Sequence, residues 1–170
     1  MRKLLSLALV VVLMVATTVS ATASTTDVTV TATPTHLSID VAPTPYDFAT
    51  VGASAEPQTA EDHFTVTNGS TVAINVTIYV TGDWTGGIGW THSDTATAGA
   101  DTAGMKANQD GAWGVGDVIV KKTEGAGHSL IVTSQAATTD FKFGLKLFAP
   151  TTFSDGVEKS NTVRLSAIGA

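Results

Sequence analysis

The chain has 170 residues, with nine lysines and arginines against 15 aspartates and glutamates, and no cysteine. Without cysteine there are no disulfides, no thiolate metal sites, no cysteine nucleophile and no lipidated cysteine. The net charge of −6 argues against nucleic acid and anionic lipid as partners, because both repel an acidic surface.

In chain order, the first element is a targeting segment. Met1, Arg2 and Lys3 make a short positive start, residues 4–15 are apolar except for Ser6, and Ala21-Thr22-Ala23 has the small-x-small form that signal peptidase reads. The apolar run is shorter than the ~20 residues that cross a hydrocarbon core. The expectation is a signal peptide over residues 1–23, cleavage near Ser24, a single domain over residues 24–170, and a secreted or cell-surface location with no transmembrane anchor. Arg2 and Lys3 leave with the signal, so the mature domain keeps seven basic against 15 acidic side chains.

Alternation then predicts strands. Val28, Val30 and Ala32 alternate with threonines in residues 25–33. Leu37, Ile39 and Val41 alternate with Ser38 and Asp40. Phe64 and Val66 alternate with His63, Thr65 and Thr67. The longest stripe is Val72, Ile74, Val76, Ile78 and Val80. Toward the end come Phe141, Phe143, Leu145 and Leu147, then Val163, Leu165 and Ala167. A period of two with one apolar face marks strands that have one side on a core and one in water. Asn68-Gly69 between two stripes reads as a hairpin turn, and Asp155-Gly156 as part of a longer loop. Phe64, Ile74, Val76, Phe143 and Leu145 are the expected core.

The middle, residues 81–127, holds eleven of the 16 glycines and all three tryptophans. Short strands are expected at residues 88–92 and 118–122. Residues 93–116 read as a long glycine-rich loop with a helical turn near residues 105–108, open to trypsin at Lys106. The fold class is all-β: an immunoglobulin-like antiparallel β-sandwich of about 7–9 strands with this loop.

Two stretches carry a resemblance. Val41-Ala-Pro-Thr-Pro-Tyr-Asp-Phe-Ala-Thr-Val51, followed by Phe64-Thr-Val-Thr-Asn-Gly-Ser-Thr-Val-Ala-Ile-Asn-Val-Thr-Ile78, resembles the ASH-like pattern of bacterial and archaeal immunoglobulin-like domains, with Ala49 where the pattern has glycine. The resemblance implies that Phe48 and Val51 anchor a strand edge and that Asn68 turns the chain. It implies a fold and no function. Export, a cysteine-free sandwich and the Phe64-to-Ser70 strand are also similar to fibre-forming proteins of the TasA and camelysin type.

The candidate chemistry is sparse. Four histidines, His36, His63, His92 and His128, come with no nucleophile motif. Asp94, Asp101, Asp110 and Asp117 lie in or beside the glycine-rich loop, where oxygen-rich acidic loops can take Ca2+; their spacing follows no EF-hand pattern. Trp84, Trp90 and Trp113 are a possible ligand-binding platform, set against the plainer role of covering one end of the core. Asn68 and Asn75 stand in glycosylation sequons.

From these readings the expected function is non-enzymatic: a structural protein of a fibre, sheath, surface layer or extracellular matrix, cellular or virion-borne. Its partners would be itself, by strand exchange through residues 25–33, or other surface proteins. The alternative is a carbohydrate- or ligand-binding module using the Trp-bearing loop, with glycans as partners; a small secreted hydrolase ranks third. No catalytic, metal or cofactor residue is assigned.

Overall fold

The computed structural model describes Thr29, Thr31, Ala32 and residues 34–109, 111–114, 116–122 and 129–170. The signal peptide expected over residues 1–23 and most of the strand expected over residues 25–33 lie outside the described residues; Thr29, Thr31 and Ala32 are exposed and in no strand. The chain divides into two compact units, and Pro34–Ala170 is the larger of them.

Among its described residues this unit is all-β, two packed sheets built from ten strands: β1 (Ile39–Ala42), β2 (Phe64–Asn68), β3 (Ile74–Val80), β4 (Thr91–Ser93), β5 (Thr102–Asn108), β6 (Val118–Ile119), β7 (Lys121–Lys122), β8 (Ser129–Gln135), β9 (Asp140–Phe148) and β10 (Val163–Gly169). The wide sheet has six strands, in the order β1-β2-β9-β5-β4 with β6 also on β5; the narrow sheet has four, in the order β10-β3-β7 with β8 also on β3. The sandwich is not purely antiparallel, because β4 runs parallel to β5 and β7 parallel to β3.

The inward stripes meet as one core. Phe64, Val66, Ile74, Val76, Ile78, Phe143 and Leu145 are buried, and the Phe64 and Phe143 rings stack across β2 and β9 at 5.0 Å. Leu37 precedes β1 and is exposed, while Ile39, Val41, Phe48 and Val51 are half-buried against the core. Phe48 and Val51 sit in the irregular segment after β1, not in a strand.

Asn68-Gly69 is not a hairpin turn. β2 belongs to the wide sheet and β3 to the narrow one, so the link between them crosses the sandwich. Asn68 is instead a fully buried tie. Its Nδ2 donates to the carbonyls of Ala136 at 2.9 Å, Gln135 at 3.1 Å and Val72 at 3.4 Å, and its Oδ1 accepts from the Ser70 N–H at 2.9 Å. One side chain thereby fastens both sheet-to-sheet links at this end.

The long loop expected over residues 93–116 contains a central strand. β5 buries Ala103, Met105 and Ala107 and pairs with β9 from Gly104–Phe148 to Asn108–Gly144. There is no helical turn at residues 105–108. Its inward side chains are small apart from Met105, which hid the alternation among the glycines. Gly104 is required on the opposite face, where a Cβ would lie 2.5 Å from Ala96 Cα of the loop folded over it. The strand expected at residues 88–92 is displaced to β4, and that at residues 118–122 is split into β6 and β7. Between them Val120 is buried, its N–H on Met105 O at 3.0 Å, as the chain passes from the wide sheet to the narrow one.

Candidate functional site

The Trp-bearing loop follows β3 and packs against the connection from β9 to β10. Its mouth is closed by the Trp84 N–H on Trp90 O at 2.9 Å. Glycines are required inside it. Gly86 and Gly87 have φ of 111° and 52°, and Cβ atoms there would lie 2.1 Å from Glu158 O and 2.3 Å from an Asp155 oxygen.

Thr85 and Ser160 exchange two backbone hydrogen bonds of 2.9 Å. Lys159 Nζ donates to Gly86 O at 2.7 Å and pairs with Asp155, which also accepts from the Ile88 N–H. The Lys159 ammonium, then the Ile88 N–H, hold the Asp155 carboxyl below the usual range. The ion pair serves to lock two loops together.

The aromatic rings form a short stack. Trp84 and Trp90 lie 5.7 Å apart at 55°, and Phe153 lies nearly parallel on Trp90 at 5.4 Å and 13°. Both tryptophans are buried, so their faces belong to the core end. Three large apolar side chains reach solvent beside them, Ile88 at 56%, Val157 at 53% and Phe153 at 36% exposure, among exposed polar residues that include Thr85, Ser154 and Glu158. Such a surface can cover a flat apolar face; it offers one partly open aromatic ring.

Trp113 belongs to a different loop, between β5 and β6. That loop is organised by Asn108 Nδ2, which donates to Ala112 O and to Asp117, both at 2.8 Å. The structure thus brings Trp84 and Trp90 together and leaves Trp113 in a separate loop.

The expected calcium acids are dispersed among backbone donors. Asp94 accepts from the Lys122 N–H at 2.6 Å and Asp101 from the Ser154 N–H at 2.8 Å. Asp117 accepts from the Gly114 N–H at 3.1 Å and lies 3.8 Å from Lys106 Nζ. Asp110 is outside the described residues, and among the described residues no three metal-ligating side chains cluster.

The histidines also separate. His36 is exposed, His63 packs edge-on against Tyr46 and Phe64, and His128 is outside the described residues. His92 is buried with Nε2 2.7 Å from Val120 O and Nδ1 facing no partner. Of the sequon asparagines, Asn68 is enclosed, and Asn75 Oδ1 accepts from the Ser134 N–H at 2.9 Å.

Phe153, Ile88 and Val157 escaped sequence reasoning. Each stands alone among glycines or polar residues, and only the packing of two loops distant in sequence joins them. Comparison with family models, with curated proteins and with solved structures finds no match for this chain.

Proposed function

We propose that this is a non-enzymatic, exported structural protein of a cell surface or extracellular matrix, built to associate with copies of itself. The observation that carries this reading is the unfinished side of the sandwich. β1 and β10 end their sheets with no neighbouring strand among the described residues, and Ile39, Val41, Val163, Leu165 and Ala167 are only half-covered there. Soluble sheets ordinarily blunt such edges with charges, prolines or bulges. β10 carries a single charge, Arg164, and an unbroken register with β3.

An immunoglobulin-like origin is part of the proposal. The antiparallel arrangements β1-β2-β9 and β10-β3-β8 support it. On this reading the parallel β4 and β7 are local departures. Light scattering and negative-stain microscopy of the processed protein over a hundredfold concentration range test the function. Growth of high-order species is the expected result, and a single-chain species throughout overturns the reading.

A second reading has its own observation: Phe153 stacked on Trp90, with Ile88 and Val157 exposed beside it. A sugar or other ligand with a flat apolar face would cover this patch. It would then change tryptophan fluorescence, and Phe153→Ala would remove the change. An unchanged spectrum across a panel of glycans would dismiss a glycan ligand.

A further inference from the structure

The narrow sheet turns one face to the core and the other away from it. Ile74, Val76, Ile78 and Val80 of β3 are fully buried on the inner face, so Asn75, Thr77 and Tyr79 between them face outward. Cross-strand partners share a face, and the register sets Arg164, Ser166 and Ile168 of β10 level with Tyr79, Thr77 and Asn75. On the other edge of β3, Lys121 of β7 lies level with Tyr79, and Leu130 of β8 with Thr77. Arg164, Leu130 and Ile168 are exposed.

The sign of this face is opposite to that of the molecule. β3, β7, β8 and β10 contain no aspartate or glutamate. Asp40 and Asp140 lie in the wide sheet, and Glu56, Glu61 and Asp62 lie in the segment before β2 whose backbone bonds to β9. Lys106, Lys122, Lys146 and Lys159 are each in an ion pair, whereas Arg164 makes none among the described residues.

We propose that the outer face of the narrow sheet binds an acidic polysaccharide, a linear glycan whose sugars carry carboxylates. Arg164 and Lys121 stand two strand spacings apart, about 10 Å, and pair with carboxylates along the polymer. Ser166, Thr77 and Asn75 offer hydroxyls and an amide to the sugar hydroxyls, and Leu130 and Ile168 cover the C–H faces of the rings. Size favours a polymer over a globular partner. Three strands of about seven residues make a face of roughly 350 Å2, under half of the ~800 Å2 that each member of a stable protein pair contributes. Nucleic acid fits less well. A duplex carries a charge about every 1.7 Å against two cations here, and Tyr79, the aromatic ring of these rows, is buried at 5% exposure. The net charge of −6 opposes a polyanion at long range. The acids of the wide sheet, however, lie a sheet spacing of about 10 Å away, beyond the screening length of about 8 Å at physiological ionic strength. The proposal depends neither on self-association nor on the Trp-bearing end.

Fluorescence anisotropy of labelled alginate oligomers, compared with dextran oligomers of equal length, tests it. Alginate should bind at least tenfold more tightly than dextran, and less tightly as sodium chloride rises. Arg164→Gln should weaken alginate binding about tenfold with an unchanged melting curve. Leu130→Asp, which places a carboxylate on the face, should abolish it. Lys142→Gln, exposed on β9 of the wide sheet, should leave it as it was. Alginate bound no more tightly than dextran would overturn the proposal, as would an equal loss from Lys142→Gln, which would reduce binding to diffuse charge. Loss through Phe153→Ala with Arg164→Gln silent would overturn the site and move the glycan to the Trp-bearing end. A short DNA duplex bound more tightly than alginate would overturn the glycan as occupant.

Discussion

Asn68 occupies a position where an apolar residue would pack but could not hold the chain. It satisfies the Ser70 N–H and the carbonyls of Gln135 and Ala136 in a site closed to water. Asn68→Ala should cost roughly 2–3 kcal/mol, since buried donors and acceptors lose partners that water cannot replace. Asn68→Asp should cost at least as much, because a carboxylate would face those carbonyl oxygens; urea denaturation measures both. His92 makes a different kind of demand. A carbonyl oxygen only accepts, so Nε2 carries the proton toward Val120 O and Nδ1 is bare. Protonation would add a buried N–H with no acceptor. Burial pushes the imidazole below its ordinary range, against the nearby Asp94 and Asp83 carboxylates, which favour the charged form. Above about pH 6.5 the folded and unfolded states are both neutral here, and His92 gives no pH dependence. As pH falls below that value the unfolded chain takes a proton the folded one resists. Stability then drops, by up to ~1.4 kcal/mol per pH unit, until the folded-state pKa is reached. Urea midpoints from pH 8 to 5 should show this loss, and His92→Gln should flatten it.

At the scale of elements, β2, β3, β9 and β10 were legible because each keeps an unbroken period of two with large apolar residues. β8 was not, and its burial shows why. Ile131 and Val132 both face the core, since the register with β3 skips a residue between Leu130 and Val132 and shifts again before Gln135. Bulges of this kind turn alternation into an irregular run. β5 was obscured differently: two of its three inward side chains are alanines, and Gly104 on the other face reads as a loop residue until the Ala96 backbone is seen against it. Met105→Ala should cost roughly 2–5 kcal/mol, as for other truncations in a closed core. Thr65→Ala, half-exposed on β2, should change little. Lys106, paired with Asp117 in the middle of the wide sheet, should resist trypsin in the folded protein. Early cleavage there, followed by mass spectrometry, would contradict the position of β5. The Trp-bearing end was half legible. The tryptophans announced themselves by size, but the exposed Phe153, Ile88 and Val157 are assembled by the Thr85–Ser160 and Lys159–Gly86 hydrogen bonds, which no local pattern encodes.

For the whole molecule, charge and shape act against each other in assembly. On the proposed export, removal of the positive first residues would leave seven basic and 15 acidic side chains, and copies would repel until salt shortens the range of that repulsion to about 8 Å near physiological ionic strength. Association should therefore speed up as sodium chloride rises from about 20 to about 300 mM, read by the lag in light scattering; slowing over that range would show that ion pairs dominate the contact. The corner at Val120 has a mechanical consequence. Residues 118–122 act as a spine along one side of the sandwich, with β1 and β10 as the edges away from it, while the Asn68-tied links hold the two sheets together at one end. His92 clamps that spine through Val120 O. β10, paired on one side to β3 alone, can fray without disturbing that spine. Amide exchange should thus be graded across the molecule, slowest at Val120 and through β3 and β5, fastest along β10. Acid that protonates His92 would release the spine rather than the edge, and the gradient of exchange across the molecule would shrink.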